Sequence, residues 1–354
     1  MEKNILAIVL TSMILALASC EKTAVNETTE DRYIMDPADT VEVIDNYYLD
    51  GYQSRTAADM GNGRTLQAVN LYLDGDTLYV ANFAGKCMDV FDAKTMDYQR
   101  SISNGDRTLA RDVYVKGDYL YVAAGENREV QVFDKKTGKY LTRLGTGTWP
   151  DSQISWAGCV AATNDLIFVR DSKEKNVRVF DRAAISTTVA NNNTVFARLN
   201  TDDYFIGSNM EPKTDSYDME VIGDSLYAFI PNAGAIYAWS VNEIKNKKND
   251  AVAKVSTSTN VKIRSIAKWK DNKSLFVAME KDGKIQLAAY SLTDFQHRNF
   301  SNPICSFGDK GRVKLPTQPI VAYYDDHLIL TNGDKVERWE IHNEPSYILR
   351  PKKK

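Results

Sequence analysis

From Val41 onward one pattern returns six times: a short apolar strand, a turn of Gly, Asp or Asn, and a second strand ending in Leu-Tyr-Val or a close variant. The copies are 70–80 (NLYLDGDTLYV), 112–122 (DVYVKGDYLYV), 160–169, 219–228, 266–277 and 321–330. Their equivalent apolar residues are Leu78, Leu120, Ile167, Leu226, Leu275 and Leu328, with separations of 42, 47, 59, 49 and 53. Several copies add a third strand, at 88–92, 130–134, 177–181, 236–239 and 336–339. Apolar–polar alternation, β-branched and aromatic enrichment and Gly/Asp turns predict antiparallel hairpins. No long stretch keeps a helical period, although 241–248 is expected as a short helix in a connection.

A repeat of roughly 40–50 residues holding three or four strands is the signature of a propeller blade. One blade cannot bury both of its faces, whereas blades packed around an axis cover each other and leave only short sheet edges. Six copies therefore predict an all-β fold, a six-bladed β-propeller of antiparallel four-stranded blades over 41–350. A β-sandwich does not repeat one hairpin six times. The segment 41–48 precedes the first copy and is expected to complete the last blade, closing the ring.

Residues 1–19 read as a signal peptide: a short start carrying Lys3, then an apolar run from Ile5 to Ala18 that is too short to span a bilayer. Leu17-Ala18-Ser19-Cys20 resembles the bacterial lipobox, which implies acylation of Cys20, palmitate being one such chain. Each buried methylene contributes about 0.8 kcal/mol, so several chains hold a protein stably at a membrane. Residues 20–40 are polar and without periodicity, as a flexible tether would be. No later stretch approaches transmembrane length. The formal charge of −3 survives removal of residues 1–19, and it speaks against a nucleic-acid surface. After Cys20 only Cys87, Cys159 and Cys305 remain, an odd number whose spacing fits no zinc motif. Cys87 and Cys159 fall in or beside strands, as small buried hydrophobes; one disulfide among the three stays open.

The recurrent Gly-Asp-x-Leu-Tyr-Val followed by Val-x-Val-Phe-Asp resembles the NHL and related six-bladed propellers. With the lipobox, the chain is similar to the propeller lipoproteins common in Bacteroidota. That resemblance covers roughly 41–345 and rests on scaffold motifs. It implies an outer-membrane location, periplasmic or surface-facing, and partnership with nutrient-uptake machinery, but it names no reaction.

Some NHL-like propellers use metal-bound histidines at the central channel. This chain has only His297, His327 and His342, expected in a connection, in a hairpin turn and after a third strand, so a histidine metal centre is disfavoured. Asp74-Gly-Asp76 and Asp325-Asp326 carry the atoms for calcium, yet such residues are expected as turn formers. No phosphate loop is present and no cofactor is expected.

The more informative place is the end of the ring where the chain enters the innermost strands. Aligning the copies puts Val69, Arg111, Gly158, Tyr217, Arg264 and Pro319 at one position, and Asn70, Asp112, Cys159, Asp218, Ser265 and Ile320 at the next. A scaffold alone would favour apolar residues there. Arginine forks beside aromatic faces suit a ligand bearing carboxylates or hydroxyls, such as a peptide or a glycan. The candidate binding set is Arg111, Asp112, Trp149, Trp156, Tyr217, Asp218, Arg264 and Gln318. Against it stands a purely structural pairing of Arg111 with Asp112, or of Arg264 with Glu280. Two functions follow: a non-enzymatic, lipid-anchored binding or scaffold protein, or a hydrolase or lyase using Asp112, Asp218 and Glu126, with or without calcium.

Overall fold

The computed structural model describes residues 40–146, 153–174, 176–185, 195–201, 218–231, 234–257, 260–270, 273–307, 315 and 319–350. Two compact units divide the chain: Asp45–Pro345, and Met1–Ile44 with Ser346–Lys354. In the latter, β1 (Thr40–Ile44) pairs antiparallel with the last strand, β26 (Ser346–Arg350). The former holds the propeller and opens with β2 (Tyr47–Thr56).

Blade 1 comprises β3 (Ala68–Asp74), β4 (Thr77–Asn82), β5 (Cys87–Asp92) and β6 (Tyr98–Ile102). Blade 2 comprises β7 (Ala110–Lys116), β8 (Tyr119–Ala124), β9 (Glu129–Asp134) and β10 (Tyr140–Leu144). Blade 3 is β11 (Ala157–Ala162), β12 (Leu166–Asp171), β13 (Asn176–Asp181) and β14 (Val195–Asn200). Blade 4 is β15 (Met219–Ile222), β16 (Ser225–Ile230), β17 (Ala235–Ser240) and β18 (Lys254–Thr257). Blade 5 is β19 (Val261–Trp269), β20 (Ser274–Lys281), β21 (Lys284–Ser291) and β22 (Cys305–Phe307). Blade 6 is β23 (Val321–Tyr324), β24 (His327–Asn332) and β25 (Lys335–Asn343), with β2 as its outer strand. Every ladder is antiparallel.

The expected closing strand therefore shifts along the chain. Tyr47–Thr56, not 41–48, pairs with β25, from Tyr47 opposite Asn343 to Thr56 opposite Lys335. Leu49 is the buried residue of this strand, while Thr40–Ile44 is taken up by β26. Innermost strands follow one another around the ring, and β23 returns against β3. The Ala68 N–H donates to the Gly333 carbonyl at 2.7 Å, tying blade 1 to blade 6.

The six aligned apolar residues, Leu78, Leu120, Ile167, Leu226, Leu275 and Leu328, are all fully buried on second strands. Third-strand aromatics Phe91, Phe133, Phe180 and Trp239 lie beside them in the inter-blade layers. Each such aliphatic side chain contributes about 1.5–3 kcal/mol by leaving water. The hairpins turn on residues free to take positive φ, as at Gly117 (φ 63°) between β7 and β8. Between β17 and β18 the expected helix forms over Val241–Lys247, its start capped by Ser240, whose Oγ accepts the Glu243 N–H. Among the described residues no helix is long and apolar enough to cross a membrane. Cys87, Cys159 and Cys305 are buried free thiols.

Candidate functional site

Four of the innermost strands share a defect at their entrance. Ala68 pairs with Asn82 but Asn70 with Ala81, which leaves Val69 unpaired; Arg111, Gly158 and Arg264 are left out in the same way. These are β-bulges, which bend a strand and re-aim the extra residue. The two arginines thus occupy equivalent bulges on blades 2 and 5, three blades apart in a ring of six. Both therefore stand on opposite blades at one mouth of the central channel, the bulge end of the ring.

Arg111 is packed by aromatic rings. Its guanidinium lies 3.9 Å from the Phe83 ring centre and 5.9 Å from that of Trp156, and it forms an ion pair with Glu126. Trp156 is half-buried and held from beneath. The Asp171 carboxylate accepts the N–H groups of Ser155 (2.7 Å) and Trp156 (3.0 Å), and Arg178 Nε donates to the same carboxylate at 3.1 Å. Gly125 lies against the indole: a Cβ there would come within 2.9 Å of Trp156 Cε2. The Lys173 ammonium sits 5.6 Å from that ring, so Phe83, Arg111, Trp156 and Lys173 form a ladder of alternating rings and cations.

Arg264 is more deeply placed, with 7% of its surface exposed. Its Nη2 reaches Glu280 at 3.4 Å, and Lys262 contacts the same carboxylate at 2.9 Å. Lys262 foremost, with Arg264 in addition, holds the Glu280 carboxyl below the usual carboxylate range. Nε and Nη1 of Arg264 are buried and have no hydrogen-bond partner among the described residues. Both arginines therefore pair with an acid of their own blade, and Arg111 with Glu126 rather than Asp112.

The next aligned position does a different job. Asp112 accepts the N–H of Val113 at 2.7 Å and, across to blade 3, that of Val160 at 2.7 Å. Asp218 likewise accepts the N–H of Ile266 in blade 5. Ser265 Oγ donates to Asp218 and accepts the N–H of Val321 in blade 6, at 3.1 Å. Polar residues just inside the bulge are thus clasps from one blade to the next, which is why a scaffold favours them there.

Two residues further on, the aligned side chains are Tyr72, Tyr114, Ala161, Glu220, Ala267 and Ala322. Three alanines leave room for three large polar groups. Tyr114 reaches past blade 3 and donates its hydroxyl to Glu220 of blade 4 at 3.2 Å; its ring centre lies 4.5 Å from that of Tyr72. Together with Asn70, Asp112, Asp218 and Lys268 these line a channel cavity of about 190 Å³. Asp218 and Glu220 keep some exposed surface because they face the channel, though protein surrounds them on every side. Burial first, and then the charge of Glu220, push Asp218 up to about 8; burial pushes Glu220 up to about 7. Burial and the nearby Asp218 hold Asp112 well above the ordinary carboxylate range.

Of the residues predicted from sequence, Arg111, Trp156 and Arg264 lie at the bulge end, and Asp112 and Asp218 meet in the channel. Trp149, Tyr217, Gln318 and Cys20 lie outside the described residues. Glu126 is Arg111's partner and does not line the channel cavity. His297 ends a short helix, Leu292–His297, within blade 5, not in a connection between blades. His327 opens β24, and His342 lies within β25, stacked 5.2 Å from Tyr48. Among the described residues no three His, Cys, Asp or Glu side chains are grouped to hold a metal ion. Sequence reasoning missed Phe83, Tyr72, Tyr114, Glu220 and Lys268. For Tyr72, Tyr114 and Glu220 the signal was present, in the Tyr-Tyr-Ala-Glu-Ala-Ala column of the same alignment.

No protein-family model matches the chain, and no curated protein matches it in sequence. Among solved structures, the chain is similar to the β-propeller domain of Cps50 (Swd1) from Myceliophteria thermophila, at 10% identity and a TM-score of 0.48. That match covers 81% of this chain and 99% of the other. At such identity it says nothing of ligand or partner.

Proposed function

We propose that this chain is a lipid-anchored binding or scaffold protein of the cell envelope. It is tethered through Cys20 and holds a peptide, a glycan or an outer-membrane protein partner at the bulge end of its ring. One observation carries the reading: two arginines stand on equivalent bulges of opposite blades, one flanked by Phe83 and Trp156, the other with two buried guanidinium nitrogens unpaired among the described residues. A guanidinium fork with open donors suits a carboxylate or a vicinal hydroxyl pair, and a half-buried indole suits a flat apolar face. The anchor and the outer-membrane location rest on the lipobox-like 17–20 and on the resemblance to propeller lipoproteins. Replacing both arginines with Ala should abolish co-purification of the partner from native membranes while the ring stays folded. Unchanged capture would remove the bulge end from consideration.

A second reading, a hydrolase or lyase working through carboxylates with or without calcium, is favoured by the channel acids. Groups with pKa near 7 and 8, as at Glu220 and Asp218, can hold and return a proton at neutral pH. Turnover of any member of a glycan and peptide panel, lost in Asp218→Asn or on chelation, would favour this reading; an inactive, metal-free protein would leave the binding role.

A further inference from the structure

We propose that the channel cavity receives a primary ammonium group, the free amino terminus of a peptide, between Asp112, Asp218 and Glu220 and against the ring of Tyr114. This deepens the binding reading and rests on it, because Asp112 and Ser265, which line the cavity, directly follow the mouth arginines.

Three carboxylates on two blades face one space of about 190 Å³. They are not grouped closely enough to share a bare metal ion. Lys268, which also lines the cavity, and Lys116 temper the charge of Glu220 from a distance, yet Lys268 is exposed and burial outweighs them both. Desolvation and mutual repulsion therefore outweigh the compensation they receive, and Asp218 and Glu220 both disfavour a charge on Asp112. An ammonium group would favour their ionised forms: it brings one positive charge with three donors of its own that can reach separated acceptors. Asp112 uses its carboxylate for two backbone N–H groups, and Glu220 accepts from Tyr114 and Val221, which leaves lone pairs on both. The paired rings of Tyr72 and Tyr114 offer a face to a cation.

A second, independent feature narrows the ligand. Asn70 is 2% exposed and lines the same cavity, and its Nδ2 has no partner among the described residues. A buried donor left unpaired costs about 1–3 kcal/mol and calls for an acceptor. An amino-terminal residue carries both, an ammonium and, three bonds along, a carbonyl oxygen.

The test is calorimetric titration of the full chain in detergent with glycylglycine and with its N-acetyl derivative. The free dipeptide should bind at least ten-fold more tightly than the acetylated one, and Glu220→Gln should weaken it at least ten-fold. Asn70→Ala should weaken both dipeptides alike. Equal binding of the two dipeptides, no binding of glycylglycine at millimolar concentration, or full affinity in a Glu220→Gln protein that still melts cooperatively would overturn the proposal. Loss of partner capture in the double arginine variant, alongside any of those results, would leave the mouth reading standing without this one. Dipeptide binding that persists while the arginine variant keeps its membrane partner would instead remove the mouth.

Discussion

Asp112 shows how one residue can look like a ligand and serve as a joint. Its carboxylate caps the N–H of Val113 and reaches the N–H of Val160 on the next blade. Asp112→Ala leaves both amides buried without that acceptor, at about 1–3 kcal/mol each. Urea denaturation should show a loss of about 2–6 kcal/mol, with a smaller loss for Asp112→Asn, which keeps an acceptor oxygen. Asp218 and Glu220 bear on pH. Their folded pKa values, about 8 and about 7, lie above those of an unfolded chain. Their contribution to stability is therefore complete below the unfolded values near pH 4, declines as pH rises, and is lost once pH has passed through about 7 and then about 8. Melting temperature should fall between about pH 5 and about pH 8, and Asp218→Asn should flatten that fall; a rise across the window would argue against the burial. The arginine positions were legible because a repeat permits alignment. Asp112 and Asp218 were legible as polar and out of place, but not as clasps, since an inter-blade hydrogen bond leaves no local pattern. Glu220 and Tyr114 stand out in the same aligned column, but only three dimensions reveal that Ala161 lets them meet.

Among the strands, the hairpins were the clearest part of the sequence, since period-two alternation and Gly-Asp turns act over a few residues. Outer strands were harder. Tyr98–Ile102 and Lys254–Thr257 are short and polar, with only one face packed, so their pattern is weak. The closing strand was placed too early for the same reason: Val41-Glu-Val-Ile44 alternates cleanly, whereas Tyr47–Thr56 carries Asp50, Gly51, Gln53, Ser54 and Arg55 and slips register between Asp50 and Gln53. Deleting residues 1–44 should leave the unfolding free energy within about 1 kcal/mol of the parent, because each blade keeps its strands. Deleting 1–56 strips blade 6 of its outer strand, exposes the β25 edge and should yield aggregated protein by size-exclusion chromatography. Ser240→Ala should cost about 1 kcal/mol through the lost helix cap.

In the intact protein, closure and attachment are separate matters. Closure comes from β2 on β25, from β23 against β3 and from the Ala68–Gly333 hydrogen bond. Attachment falls to Cys20 in the proposed function, and Cys20→Ser should move the protein from the membrane fraction to the soluble one without changing its melting temperature. In the proposed function the partner sits on the bulge end and not on the hairpin-turn end of the ring. Site-specific photo-cross-linking in native cells decides it, with the reactive residue placed at Lys173, beside Trp156, or at Asp118, in the exposed β7–β8 turn. A partner on the bulge end should give a discrete adduct from position 173 that disappears when Arg111 and Arg264 are both alanine, and none from position 118. An adduct from position 118 alone, or one from 173 indifferent to both arginines, would refute it.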